Sequence, residues 1–215
     1  MPKAFIFDMD GVLIDSNPTH KIALQQFCKE HGHELTEKEL REKVYGRMNR
    51  DWLTSVFGDL PEEKVRQYAD EKEALFRKLY HDIEPLDGLI DFLRKMDIDN
   101  IPRAIATSAP RANVDFTLSN TDLSPFFKTI LDDSFVTRGK PDPEIYLKTV
   151  AALKMNASDC VVFEDSLSGV KAGKAAGCKV VGIMTTHTAE ELGEADFSIP
   201  DFRDHEPKSI LNRLF

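Results

Sequence analysis

Four groups of reactive side chains punctuate the 215-residue chain in a fixed order. Asp8 and Asp10 interrupt the stretch AFIFDMDGVLIDS, Thr107 and Ser108 follow RAIA, Lys140 stands in RGKPDP, and Glu164 and Asp165 end VVFED. Carboxylates gathered at one edge repel one another unless a divalent cation sits among them, and Asp and Glu oxygens suit a hard ion such as Mg2+. Each group also has an ordinary structural reading. Asp-x-Asp-Gly can be a turn with Gly11 at positive φ, Thr107-Ser108 and Glu164-Asp165-Ser166 can start helices, and Lys140 before a proline can be a solvated loop residue. The joint order of acid pair, hydroxyls, lysine and acid pair is what implies a metal.

These groups must be carried by elements that bring them together. Short apolar runs rich in β-branched or aromatic residues occur at Ala4–Phe7, Arg103–Thr107, Cys160–Phe163 and Lys179–Ile183, with Thr129–Leu131 a weaker fifth. Helical patterns at Leu86–Met96, Asn113–Leu118, Pro143–Leu153 and Leu167–Ala176 alternate with them, which reads as βαβ units around a parallel sheet. Ligands of such sheets bind beyond the carboxyl ends of the strands, where all four groups fall.

Residues 16–84 read differently. PTHKIALQQFCKEHG has Ile22, Leu24, Phe27 and Cys28 near helical spacing, TEKELREKVYG opens with a Thr36/Glu39 capping box, and PEEKVRQYADEKEALFRKLYHD is a long charged amphipathic helix starting near Pro61. No strand is expected there. The prediction is an α/β fold, a Rossmann-like parallel sheet core over residues 1–15 and 85–215, with an inserted α-helical cap domain over residues 16–84. Linkers are expected near Asp15–Pro18 and Ile83–Gly88.

With 28 Lys and Arg against 37 Asp and Glu, the net charge of −9 argues against a broad nucleic-acid footprint. No stretch approaches the roughly 20 apolar residues of a membrane span, and the first apolar run is too short for a signal peptide. A cytoplasmic protein with no membrane partner is expected; nothing indicates its oligomeric state. Cys28, Cys160 and Cys178 are too few and too far apart for a disulfide framework or zinc site, and each reads as a small buried residue.

The motifs Asp8-Met9-Asp10-Gly11-Val12, Thr107-Ser108, Lys140-Pro141 and Glu164-Asp165-Ser166 together resemble the haloacid dehalogenase superfamily of phosphotransferases. DGVLIDSNPTH and FEDSLSGVKAGKAAG are similar to the branch holding β-phosphoglucomutase and small-molecule phosphatases, in which a helical cap follows the first motif. The resemblance implies that Asp8 is the nucleophile and becomes an aspartyl-phosphate, while Asp10 protonates the leaving oxygen and later deprotonates the incoming nucleophile. It places Mg2+ on Asp8, the Asp10 backbone carbonyl and Asp165, with Glu164 assisting directly or through water. Thr107 and Ser108 would bind phosphoryl oxygens and Lys140 would neutralise charge there.

For the cap, the resemblance points to His20 facing the site and to Arg47 and Arg50 in YGRMNRDW reaching over the substrate, Arg47 ahead of Arg50; under the ordinary reading these are surface charges. Trp52 reads as packing. GVKAGKAAG fails the spacing of a phosphate-binding loop and reads as a helix packed closely on the sheet. The implied activity is a Mg2+-dependent phosphatase for a small phosphorylated metabolite, a sugar or polyol phosphate. The alternative is a β-phosphoglucomutase-like isomerase, and a remote one is a phospho-accepting receiver module. Thr107-Ser108-Ala109-Pro110 departs from the mutase pattern Ser-Ala-Ser-Lys, so this chain lacks a hydroxyl and a cation for a distal phosphate unless Arg111, Arg47 or Arg50 substitutes.

Overall fold

The structure, a computed structural model, describes residues 3–44 and 47–215, with Arg41 as backbone only. Six strands form one sheet, β1 (Ala4–Phe7), β2 (Arg103–Ala106), β3 (Ile130–Leu131), β4 (Cys160–Glu164), β5 (Lys179–Ile183) and β6 (Phe197–Ile199). Their order is β3-β2-β1-β4-β5-β6, and every pairing is parallel. The chain therefore winds outward in both directions from β1, and the strand order reverses beside β1, where a ligand crevice is expected.

The strands are buried on both faces, as parallel sheets covered by helices are. Phe5, Phe7, Val161, Phe163 and Val181 point to one face, where they meet Leu89, Phe92, Leu93 and Met96 of α5 (Leu89–Ile98), Val114 of α6 (Arg111–Ser119) and Ile210 of α9 (Pro207–Leu214). Ala4, Ile6, Val162 and Val180 point to the other, against α7 (Glu144–Ala152) and α8 (Leu167–Ala175). This period-two division follows from the pleat. The helix GVKAGKAAG packs closely, as expected: a Cβ on Gly173 would sit 2.9 Å from Val180 Cγ2. β6 and α9 were outside the sequence expectation.

Four helices leave the sheet after β1: α1 (Asn17–Glu30), α2 (Glu37–Lys43), α3 (Asn49–Phe57) and α4 (Glu62–Leu79). Both halves of the Thr36/Glu39 capping box are present. Leu24, Phe27, Cys28, Leu40, Trp52, Leu53 and Val65 close a separate apolar cluster, whereas Ile22 points to solvent. The two crossings are tied together, since Ile14 bridges Pro85 and the Leu86 N–H donates to the Leu13 carbonyl at 2.9 Å. All three cysteines are buried and free. Among the described residues no helix is long and apolar enough to cross a membrane.

Candidate active site

The strand ends deliver the predicted groups to one place. The Asp8 N–H donates to the Phe163 carbonyl at 3.1 Å, which keeps Asp8 at the edge shared by β1 and β4. The chain then turns: the N–H groups of Val12 and Leu13 both donate to the Met9 carbonyl, and Gly11 sits at φ 77°. A Cβ there would lie 2.1 Å from Asp165 Oδ2, so glycine is needed both for the turn and for the close approach of the second acid pair.

Lys140 is buried among these acids. Its Nζ donates to Asp8 Oδ1 at 2.8 Å and to Glu164 Oε1. Glu164 Oε1 also accepts from Tyr146 Oη at 2.6 Å, and its Oε2 accepts from the Ser166 N–H and Oγ. With about four lone-pair directions, that carboxylate is fully engaged. It fits only because residue 169, at the start of α8, is glycine: a Cβ would stand 1.9 Å from Glu164 Oε1.

Asp165 points the other way along the edge. Its Oδ2 accepts from Asn17 Nδ2 at 2.9 Å and from Thr186 Oγ1, and its backbone carbonyl accepts from His187 Nδ1 at 3.0 Å. Asp8, Glu164 and Asp165 each bring a carboxylate oxygen within 4.8 Å of the others. Burial, then the neighbouring Glu164 charge, pushes the Asp165 carboxyl up to about 7 against the opposing pull of Thr186, Lys140 and Asn17. Burial likewise pushes Asp8 well above the carboxylate range, with Glu164 and Asp165 adding to it and Lys140 opposing. One ammonium does not balance three buried carboxylates. An all-oxygen donor set with uncompensated negative charge fits a hard divalent cation such as Mg2+.

The rest of the cavity is walled by α1, α3, α4 and the start of α6. It measures about 80 Å3, and its lining includes Asp8, Asp10, Thr107, Ser108 and Lys140. Thr107 is buried, and its Oγ1 accepts from the Ala109 N–H at 3.0 Å, leaving its proton to donate. Asp10 turns from the other acids toward the helices: its Oδ1 accepts from Ser16 Oγ at 2.6 Å and meets His20 Nε2 at 3.3 Å. Burial raises the Asp10 carboxyl, but His20, Ser16 and Lys72 outweigh it and hold it below its ordinary value. Lys72 Nζ donates to His20 Nδ1 at 3.1 Å, which leaves the ring proton on Nε2, facing Asp10. The imidazole lies flat on Phe76, ring centroids 3.7 Å apart.

Arg47 lines the cavity, and its Nη2 donates to the Glu42 carbonyl at 3.0 Å. Gly46, beside it in the expected Gly-Arg pattern, lies outside the described residues. Arg50 is not brought to the cavity. Its side chain is 60% exposed, pairs with Glu62 at 2.6 Å and does not line the cavity, because the first turn of α3 faces it outward. Trp52 both packs and lines the cavity, its Nε1 donating to Asn49 Oδ1 at 2.8 Å. Side-chain Asp10 stands outside the acid trio, so only its backbone carbonyl remains a metal ligand candidate.

Sequence reasoning missed Asn17, Tyr146, Thr186 and His187 around the acids, and Asn49, Lys72, Glu73 and Asn113 on the facing wall. Only the last group carried a signal. Lys72 and Glu73 share the inward stripe of α4 with Val65, Ala69 and Phe76, and charges on an apolar stripe mark a polar site.

The haloacid dehalogenase-like hydrolase family profile matches residues 5–183. A phosphorylated carbohydrates phosphatase of Thermotoga maritima is 32% identical over 218 residues, covering 99% of this chain and 98% of that protein. A HAD hydrolase of family IA, variant 3, from Entamoeba histolytica superposes with a TM-score of 0.89 at 31% identity, over 99% of both chains. The β-phosphoglucomutase of Clostridium difficile superposes equally well, TM-score 0.89 at 25% identity, over 100% of this chain and 97% of that one. Profile, sequence and fold agree with the edge that gathers Asp8, Lys140, Glu164 and Asp165, and the chain belongs to the haloacid dehalogenase-like hydrolase family.

Proposed function

We propose that the protein is a Mg2+-dependent phosphatase acting on a small phosphorylated metabolite of the sugar or polyol class, through an aspartyl-phosphate on Asp8. The observation that carries this reading is the buried lysine-bridged acid cluster opening into the same cavity as Thr107 and Asp10. Residues 1–15 and 85–215 serve as the catalytic core and residues 16–84 as the cap that closes the leaving-group end.

In this reading an Asp8 carboxylate oxygen attacks phosphorus and the bond to the leaving oxygen breaks, that oxygen taking a proton from Asp10. Asp10 then removes a proton from water, the water oxygen attacks the phosphorus, and the bond to Asp8 breaks. Thr107 and the Ser108 N–H hold phosphoryl oxygens, and Lys140 keeps the Asp8 carboxylate oriented. Asp8, Asp165 and the Asp10 carbonyl would hold Mg2+, which when bound neutralises charge between the two reacting anions. Glu164, with every lone pair engaged, positions Lys140 instead of ligating directly.

The similarity to β-phosphoglucomutase keeps a second reading in play, an isomerase that returns the phosphoryl group to its substrate. Two of the three arginines offered for its distal phosphate are paired with acids, Arg111 with Asp115 at 2.8 Å and Arg50 with Glu62, while Arg47 lines the cavity with Nη2 held by the Glu42 carbonyl. A screen of sugar and polyol phosphates with Mg2+, following free phosphate and isomerised product with and without a sugar bisphosphate primer, separates the two. Phosphate release without priming supports the phosphatase; isomerisation that requires priming overturns it.

A further inference from the structure

Among the described residues, Glu73 is the one buried acid of the cavity that the phosphatase chemistry does not use. It is 5% exposed, lies on α4 and lines the cavity that also holds Asp8 and Asp10. Oε1 accepts from Lys72 Nζ at 2.8 Å and from Asn49 Nδ2 at 2.9 Å, and Oε2 accepts from Asn113 Nδ2 at 2.6 Å. Both amides are locked in that orientation by groups that can only donate: the Trp52 indole holds Asn49 Oδ1, and Arg77 Nη1 holds Asn113 Oδ1 at 2.6 Å. Burial raises the Glu73 carboxyl, but Lys72, His20 and the bond from Asn113 outweigh it and keep the group ionised.

We propose that Glu73 sets the leaving-group preference of the site, accepting a neutral, hydroxyl-bearing leaving group and rejecting one that carries a second phosphate. This rests on the phosphatase reading, which places the phosphoryl group at Asp8 and the leaving group against the cap. Three of about four lone-pair directions on Glu73 are taken by the described residues, so one is left to accept from a ligand hydroxyl. The Lys72 charge is committed to Glu73 and His20 and does not make the wall cationic. A second phosphate would face the Glu73 carboxylate across a cavity of about 80 Å3, where like charges several ångströms apart repel strongly.

The test uses the full chain with Asp8→Asn to prevent turnover, in Mg2+, with calorimetric binding of mannitol 1-phosphate and mannitol 1,6-bisphosphate. The expected parent preference for the monophosphate is about tenfold or more, and adding Glu73→Gln shrinks it by about tenfold or more. Asn113→Ala is the structural control. It removes a bond to Glu73 but keeps the charge, and it should weaken both ligands alike, leaving their ratio within about threefold of the parent. An unchanged ratio in Glu73→Gln, or a parent that binds neither ligand, overturns the assignment. Hydrolysis of the monophosphate by the chain with Asp8 intact is measured separately. Its absence alongside a Glu73-dependent ratio refutes the phosphatase reading alone.

Discussion

Gly169→Ala sets helix propensity against site packing. At an ordinary position in α8 the change would stabilise by about 1 kcal/mol, because alanine loses less backbone freedom. Here the new Cβ would lie 1.9 Å from Glu164 Oε1 and 2.0 Å from its Cδ. Glu164 has no exposed surface and is held by Lys140, Tyr146 and Ser166, so its carboxylate can move only by breaking those bonds. Displacing it leaves Lys140 with Asp8 as its remaining acidic partner. Loss of one of two partners of a buried charge costs about 2 kcal/mol, half the effect of full unpairing. Overpacking adds about 2 kcal/mol. Less the propensity gain, the net is about 3 kcal/mol, a Tm lowered by about 6–12 °C for a chain of this size. Thermal unfolding and phosphate release on the same preparations check it: both should fall. A Tm equal to or above wild type with full turnover would refute the packing of Gly169 against Glu164 and the role given to that acid.

Removing the donors of Asp165 by Asn17→Ala with Thr186→Val should raise the Mg2+ needed for half-maximal activity by about tenfold, read from metal titrations. Arg50→Ala, which removes an exposed pair with Glu62, should leave kcat/KM within about twofold of wild type. Asp133 gives a pH dependence. Burial, with Asp132 and Glu73, pushes its carboxyl up to about 6 from 3.8, so the folded state holds a proton that the unfolded chain has released. Its contribution to stability therefore falls as pH rises from about 4 to about 6. Asp133→Asn should match wild type near pH 4 and exceed it above pH 6 by about 1 kcal/mol, discounted for solvent screening, as denaturant unfolding will show.

Much of the core was legible because apolar runs such as Cys160–Phe163 end in a polar pair, and parallel strands place such pairs at one edge. β6, three residues at the sheet margin of which Ile199 alone is buried, has too little apolar pattern to stand out. Bounds moved by a residue or so where a polar residue ends the strand, as at Thr107. The acids stood out because each pair ends an apolar run and β1 and β4 are parallel neighbours, and Lys140 because Lys-Pro completes the set of motifs that resembles the family. Asn17, Thr186 and Tyr146 were not, since each is a lone polar residue whose partner lies in another element. Whether Arg50 faces cavity or solvent is decided by a single turn of helix, which the sequence pattern around it does not resolve. Glu73 and Lys72 were hidden in the charge pattern of α4, which looks solvated until its inward stripe is traced.

Phosphoryl transfer through Asp8, as proposed, passes through a covalent adduct that can be trapped. Rapid acid quenching during turnover of a sugar phosphate with Mg2+, followed by peptide mass spectrometry, tests it most directly. A phosphoryl adduct is expected on the peptide carrying Asp8, lost in Asp8→Asn together with phosphate release and with the fold retained. Continued phosphate release by Asp8→Asn, with no adduct on Asp8 in the wild type, would contradict it.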